Sequence, residues 1–105
     1  MGWRMYKIDS GDLRLAKEFR VNPIGHHSPD LQRLLRVMRS ESVAGKYALL
    51  CTKRNREWLL IQLSGEKGMP FTVHEDKRFT TLVEAEWEVF KLRWKKHTGC
   101  DLELD

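Results

Sequence analysis

Residues 78–99, RFTTLVEAEWEVFKLRWKKHTG, carry apolar positions at a helical period, but in two stripes rather than one. Thr81 with Glu84 three positions later makes a capping box, and Gly99 supplies a stop. At roughly 100° per residue, Leu82, Ala85, Val89 and Leu92 fall on one side, while Val83, Trp87, Phe90 and Trp94 fall on another. Glu86 and Arg93 separate the stripes along one edge, with Glu84, Glu88, Lys91 and Lys95 along the other. A helix lying on the surface of a small domain needs a single apolar stripe. The second one therefore calls for a cover.

An earlier stretch gives another helix. Ser28 is placed to cap it, Pro29 occupies a first position where the missing N–H costs nothing, and Asp30 suits the positive end of the helix dipole. Leu31, Leu34, Leu35 and Met38 follow at i, i+3, i+4 and i+7, with Gln32, Arg33, Arg36 and Arg39 on the opposite face. Before it, VNPIGHHSPD is a turn-rich connection in which Pro23 keeps Asn22 extended. The first residues read as an extended arm with Trp3, Met5, Tyr6 and Ile8, which either packs on its own domain or lies on a partner. Ser10 then caps a short helix whose Leu13, Ala16 and Phe19 share a face. A helix this short persists only when docked.

Between the two stronger helices the period changes to two. GKYALLCTK (45–53) places Tyr47, Leu49 and Cys51 on one face and Ala48, Leu50 and Thr52 on the other, a strand apolar on both sides. A basic turn, Lys53, Arg54, Asn55 and Arg56, leads to a second strand, EWLLIQL (57–63), so the pair reads as an antiparallel hairpin. SGEKGM makes a second turn, and PFTVHE (70–75) a third strand with Pro70 at its start or on an edge. Three short strands need a helix across them, which the aliphatic stripe provides. The expected fold is α+β: a three-stranded antiparallel sheet with a C-terminal helix across it and one or two N-terminal helices. The acidic tail CDLELD is expected to fray.

Composition adds limits. At 105 residues the chain fits a single small domain, 1–105, with an arm and short helix over 1–21 ahead of a core over 22–99. Hydrophobic residues at 41% and charged ones at 32% describe a globular protein rather than a disordered or fibrous one. The longest apolar run, 47–51, is far too short to span a bilayer, and no apolar stretch of a signal peptide follows Arg4 and Lys7. With Cys51 and Cys100 alone there is no disulfide framework, so a reducing cytoplasm is the expected home. A net charge of +4 and a pI near 9.3 bring nucleic acid into consideration, although 15 acidic residues nearly balance 19 basic ones.

Catalytic patterns are thin. His26 and His27 precede Ser28, but adjacent residues do not face each other as base and nucleophile, and Ser28 is already accounted for as a cap. His97 and Cys100 have metal-ligand spacing without a second pair to complete a zinc site. His74, Glu75 and Asp76 read as surface at a strand end. Gly65, Lys67 and Gly68 lack the rest of a phosphate-binding loop. Nothing forms a complete active site, and no cofactor is expected in this chain.

The segments NPIGHHSPDLQRLLRVMR, GKYALL, REW and RFTTLVEAEWEVFKLRW, in this order over residues 22–99, resemble the small (alpha) subunit family of N,N-dimethylformamidase. The resemblance implies an amide hydrolase of small and large subunits that converts N,N-dimethylformamide to dimethylamine and formate. It implies too that iron and the catalytic groups belong to the large subunit, and that this chain is an accessory subunit of a hetero-oligomer. The subunit-contact pattern carries over to His27, Ser28, Pro29, Leu31, Gln32 and Arg33, and to Trp87, Phe90, Arg93 and Trp94. One departure is that only twenty-one residues precede the NP motif here, fewer than in the family's characterised enzymes, which leaves a related hydrolase with another substrate, or a role without hydrolysis, open.

Pattern and resemblance meet at the aromatic stripe. The expected partner interface comprises Trp87, Phe90, Arg93 and Trp94 with His27, Arg33, Arg36, Trp3 and Tyr6, since aromatic residues and arginine are enriched at interface centres. On that expectation Trp87→Ala with Trp94→Ala abolishes association and leaves the fold intact. The competing arrangement has Leu31, Leu34 and Met38 covering the stripe. A rival of another class is a small basic DNA-binding module with an AP2-like sheet and helix, in which Lys53, Arg54, Arg56 and Lys67 contact phosphate. Its first strand, however, offers no arginine to read bases.

Overall fold

The computed structural model describes residues 8–40, 45–54, 56–65 and 71–102, with Ser10 described by its backbone alone. A 3-10 turn, Ser10–Asp12, leads into helix α1, Leu13–Val21; helix α2 spans Pro29–Arg39. Strands β1 (Tyr47–Lys53), β2 (Glu57–Gln62) and β3 (Thr72–Phe79) follow, and helix α3 (Leu82–Thr98) ends the fold. The sheet is antiparallel in the order β1-β2-β3. This is the α+β layout expected, with α3 packed across all three strands.

Both main helices begin, and α3 ends, as their sequences dictate. The Ser28 hydroxyl accepts the Leu31 N–H at 3.2 Å, with Pro29 in the first turn. Thr81 accepts the Glu84 N–H at 3.3 Å, and α3 stops at Gly99, whose φ of 78° lies in the left-handed region that side chains resist. At α1 the structure departs from expectation. The cap position belongs to Asp12, because Ser10 opens a 3-10 turn, Ser10–Asp12, that precedes the helix. The third strand is also longer than 70–75. It continues to Phe79, with Leu60 opposite His74 but Leu59 opposite Arg78, so Glu75, Asp76 and Lys77 bulge out of register.

Cross-strand partners share a face of the sheet. Tyr47 with Gln62, Leu49 with Leu60 and His74, and Cys51 with Trp58 and Phe79 lie on one face. Ala48 with Ile61 and Val73, and Leu50 with Leu59 and Arg78, lie on the other. The first face meets α3: the Lys96 ammonium stands 5.9 Å from the Tyr47 ring, and Leu60 is only 2% exposed. The second carries Leu50 and Val73, each 37% exposed.

Helix α3 is thus the middle of three layers. Ala85 and Val89 are buried on its sheet side, where Val89 lines one hollow with Leu49 of β1. On its other side Trp87, Phe90 and Trp94 join a cluster with Ile8, Leu15, Ala16, Phe19, Leu31, Leu34, Leu35, Met38 and Leu102. One helix therefore organises two cores.

Candidate functional site

The aromatic stripe of α3 finds its cover inside the chain. Phe19 of α1 stacks on Phe90 with ring centroids 4.4 Å apart; Trp87 lies 5.6 Å and Trp94 6.3 Å from the same ring. Trp87, Phe90 and Trp94 are 4%, 2% and 4% exposed, so they are core and offer no free surface to a partner. The stripe expected at a partner interface is thus already covered within the chain, as in the competing arrangement. The reason is the amount of apolar cover: α1 is docked rather than marginal and presents Leu15, Ala16 and Phe19, α2 adds its four aliphatic residues, and Leu102 of the tail is buried instead of frayed. Above Trp87 the Arg20 guanidinium sits 5.3 Å and the Lys91 ammonium 5.9 Å from the ring.

The remaining expected interface residues separate. Arg93 is half-buried and donates to the Tyr47 carbonyl at 3.1 Å, binding α3 to β1. Trp3 and Tyr6 lie outside the described residues. Arg33 and Arg36 are exposed on α2, and His27 is half-buried at its start, its ring 5.6 Å from Phe19.

A polar joint fixes this end of the molecule. The Glu18 carboxylate accepts the Ser28 N–H at 2.8 Å and the Ser28 hydroxyl at 2.7 Å, while that hydroxyl caps α2, so the end of α1 is tied to the start of α2. His27 donates from Nε2 to the Asn22 carbonyl at 2.9 Å, and Gln32 donates to the His27 carbonyl at 2.8 Å. The Ser28 hydroxyl, then its N–H, hold the Glu18 carboxyl below the ordinary glutamate range. A depressed folded-state value contributes stability that is complete above the ordinary pKa, about 4.3, and lost as pH falls through the lower folded value. The urea midpoint of the chain is therefore expected to fall on acidification below about pH 4.3, with a smaller fall in Glu18→Gln, read by unfolding between about pH 3 and 6. Ser28→Ala should cost about 1 kcal/mol at neutral pH through the lost cap.

Beside this joint an open hollow of about 450 Å³ is lined by His27, Gln32, Leu35, Arg36, Arg39 and Ser40. Two residues of the expected interface, His27 and Arg36, thus meet there, while Arg39 and Gln32 complete it. Arg39 was legible as part of the arginine face of α2, whereas Glu18, which fixes the loop carrying His27, stood out by no motif.

The basic hairpin is arranged differently. Lys53 lies 3.9 Å and Arg78 2.9 Å from the Glu57 carboxylate, whose pKa is lowered by the Thr52 hydroxyl and then by Arg78. Arg54 and Arg56 are exposed, and Lys67 lies outside the described residues. The phosphate contacts of a DNA-binding module would thus begin from a lysine that shares an internal carboxylate. Among the described residues no group of three or more His, Cys, Asp or Glu comes together to hold a metal, and no described helix is long and apolar enough to cross a membrane.

No curated protein matches the chain. A family model does, over nearly the whole of it: the N,N-dimethylformamidase alpha subunit model aligns with residues 10–103, from the 3-10 turn before α1 to just past Leu102. That range takes in both cores except Ile8, and the arginine face, and with it the chain belongs to the N,N-dimethylformamidase alpha subunit family.

Proposed function

We propose that this chain is the non-catalytic small subunit of an amide hydrolase, and that it binds and stabilises a larger, iron-dependent catalytic subunit acting on N,N-dimethylformamide or a closely related amide. The observation that supports this reading is the family match over residues 10–103. With the aromatic stripe inside the core, the surface left for the larger subunit includes the basic face of α2 and the exposed aliphatic residues Leu50 and Val73 of the sheet. Iron, when bound by the catalytic subunit, would supply Lewis-acid activation of water; this chain would supply surface and stability.

The test is to prepare the chain alone, its large subunit alone, and the two coexpressed, and to follow dimethylamine and formate release from N,N-dimethylformamide. The expected result is no hydrolysis by the chain alone and full activity in the coexpressed complex. Hydrolysis by the isolated chain, or failure of the two to copurify, would overturn the proposal.

A further inference from the structure

We propose that the hollow on α2 is a carboxylate-binding dock that receives a glutamate-bearing segment of the large subunit, with Arg36 and Arg39 as its clamp. This rests on the subunit reading above. Arg36 and Arg39 stand three positions apart in the last turn of α2, close enough on a helix to act on one group, and both line the hollow. Their guanidinium groups make no hydrogen bond or ion pair with any described residue. That sets them apart from Arg14, paired with Asp30, and from Arg78, paired with Glu57. Basic residues at a helix C-terminus complement its dipole, which accounts for two arginines there. It does not account for the hollow between them.

The walls select the ligand. Leu35 lines the hollow but is only 4% exposed and belongs to the core, so what the hollow offers a carboxylate is the forked donors of Arg36 and Arg39. Gln32 and Ser40 line the rim, and no described lining residue is acidic. The rim does not need to be assembled on binding, since Gln32 is held by the His27 carbonyl and Ser40 by the Val37 carbonyl at 2.8 Å each. A nucleic acid would instead need a run of cations tracking successive phosphates. The hollow holds two, and the basic hairpin is partly neutralised by Glu57.

The experiment uses the two purified full-length subunits. Arg36→Glu with Arg39→Glu should fold as the wild type by circular dichroism and bind the large subunit at least about 30-fold more weakly, because a like charge replaces each clamp. Binding that stays within about threefold would overturn the dock while leaving the subunit reading standing. If the wild-type chain does not bind the large subunit at all, both fail together. A second variant does not depend on charge reversal: in Arg36→Lys, zero-length carbodiimide coupling should join the introduced lysine to a glutamate of the large subunit, identified by peptide mass spectrometry. Absence of any such crosslink in the formed complex would overturn the proposal. So would a charge-reversed chain that loses affinity for duplex DNA but not for the large subunit.

Discussion

Trp87→Ala combined with Trp94→Ala is expected to unfold the chain at room temperature. Each indole is 4% exposed, and each packs near Phe90, which is itself stacked on Phe19. Truncating a buried aromatic residue costs about 3–5 kcal/mol in lost burial and residual cavity. The two sites share Phe90 as a neighbour, so the losses need not add simply, yet together they reach about 6–10 kcal/mol. Small domains have about 5–15 kcal/mol in total, with the shortest near the bottom of that range. Far-UV circular dichroism of the double variant should show loss of helix, and Phe90→Ala alone should lower the urea midpoint by an amount matching about 3–5 kcal/mol. A double variant with native circular dichroism would mean that the stripe is a surface after all. The sequence pattern alone favoured that outcome; the burial of all three rings reverses it.

The reversal has a physical cause. The pattern in α3 was legible because both stripes repeat strictly, and α2 because Ser28, Pro29 and Asp30 mark its start and four aliphatic residues its inner face. What covers an exposed stripe is a tertiary question. It was answered by α1, whose nine residues form a helix too short to be stable alone but able to persist once Phe19 stacks on Phe90. The extension of β3 to Phe79 was hidden for a related reason: the bulge at Glu75, Asp76 and Lys77 breaks the alternation that marks a strand, and only the partner strand restores register on both sides of it. The candidate dock was half legible. Its arginines follow from helical spacing, but the hollow exists because Glu18 and Gln32 pin the loop that carries His27. A carboxylate ten residues before its partner leaves no local signature.

On the proposed subunit reading, with the aromatic stripe inside, the partner-facing surface would shift to Arg36 and Arg39 on α2 and, on the sheet, to Leu50 and Val73 of the face turned away from α3. The two faces of the sheet should respond differently to the same truncation, and this separates fold from surface at neighbouring positions.

Leu60→Ala should destabilise the chain by about 2–5 kcal/mol, whereas Leu50→Ala should cost less than about 1 kcal/mol. Leu60 is 2% exposed on the central strand, paired with Leu49 on the face that meets α3, so its removal opens a cavity that a helix anchored on two cores cannot collapse to fill. Leu50 is 37% exposed on the edge strand and leaves no enclosed cavity when shortened. Urea unfolding followed by tryptophan emission measures both, because Trp58 lies on the Leu60 face and Trp87 and Trp94 on the far side of α3. A common midpoint for the two cores is expected, since α3 is shared and neither core survives its loss. Equal costs at Leu60 and Leu50 would contradict the assignment of the inner face, and a Leu60→Ala chain whose helical core melts separately from its sheet would show that α3 does not couple the two layers.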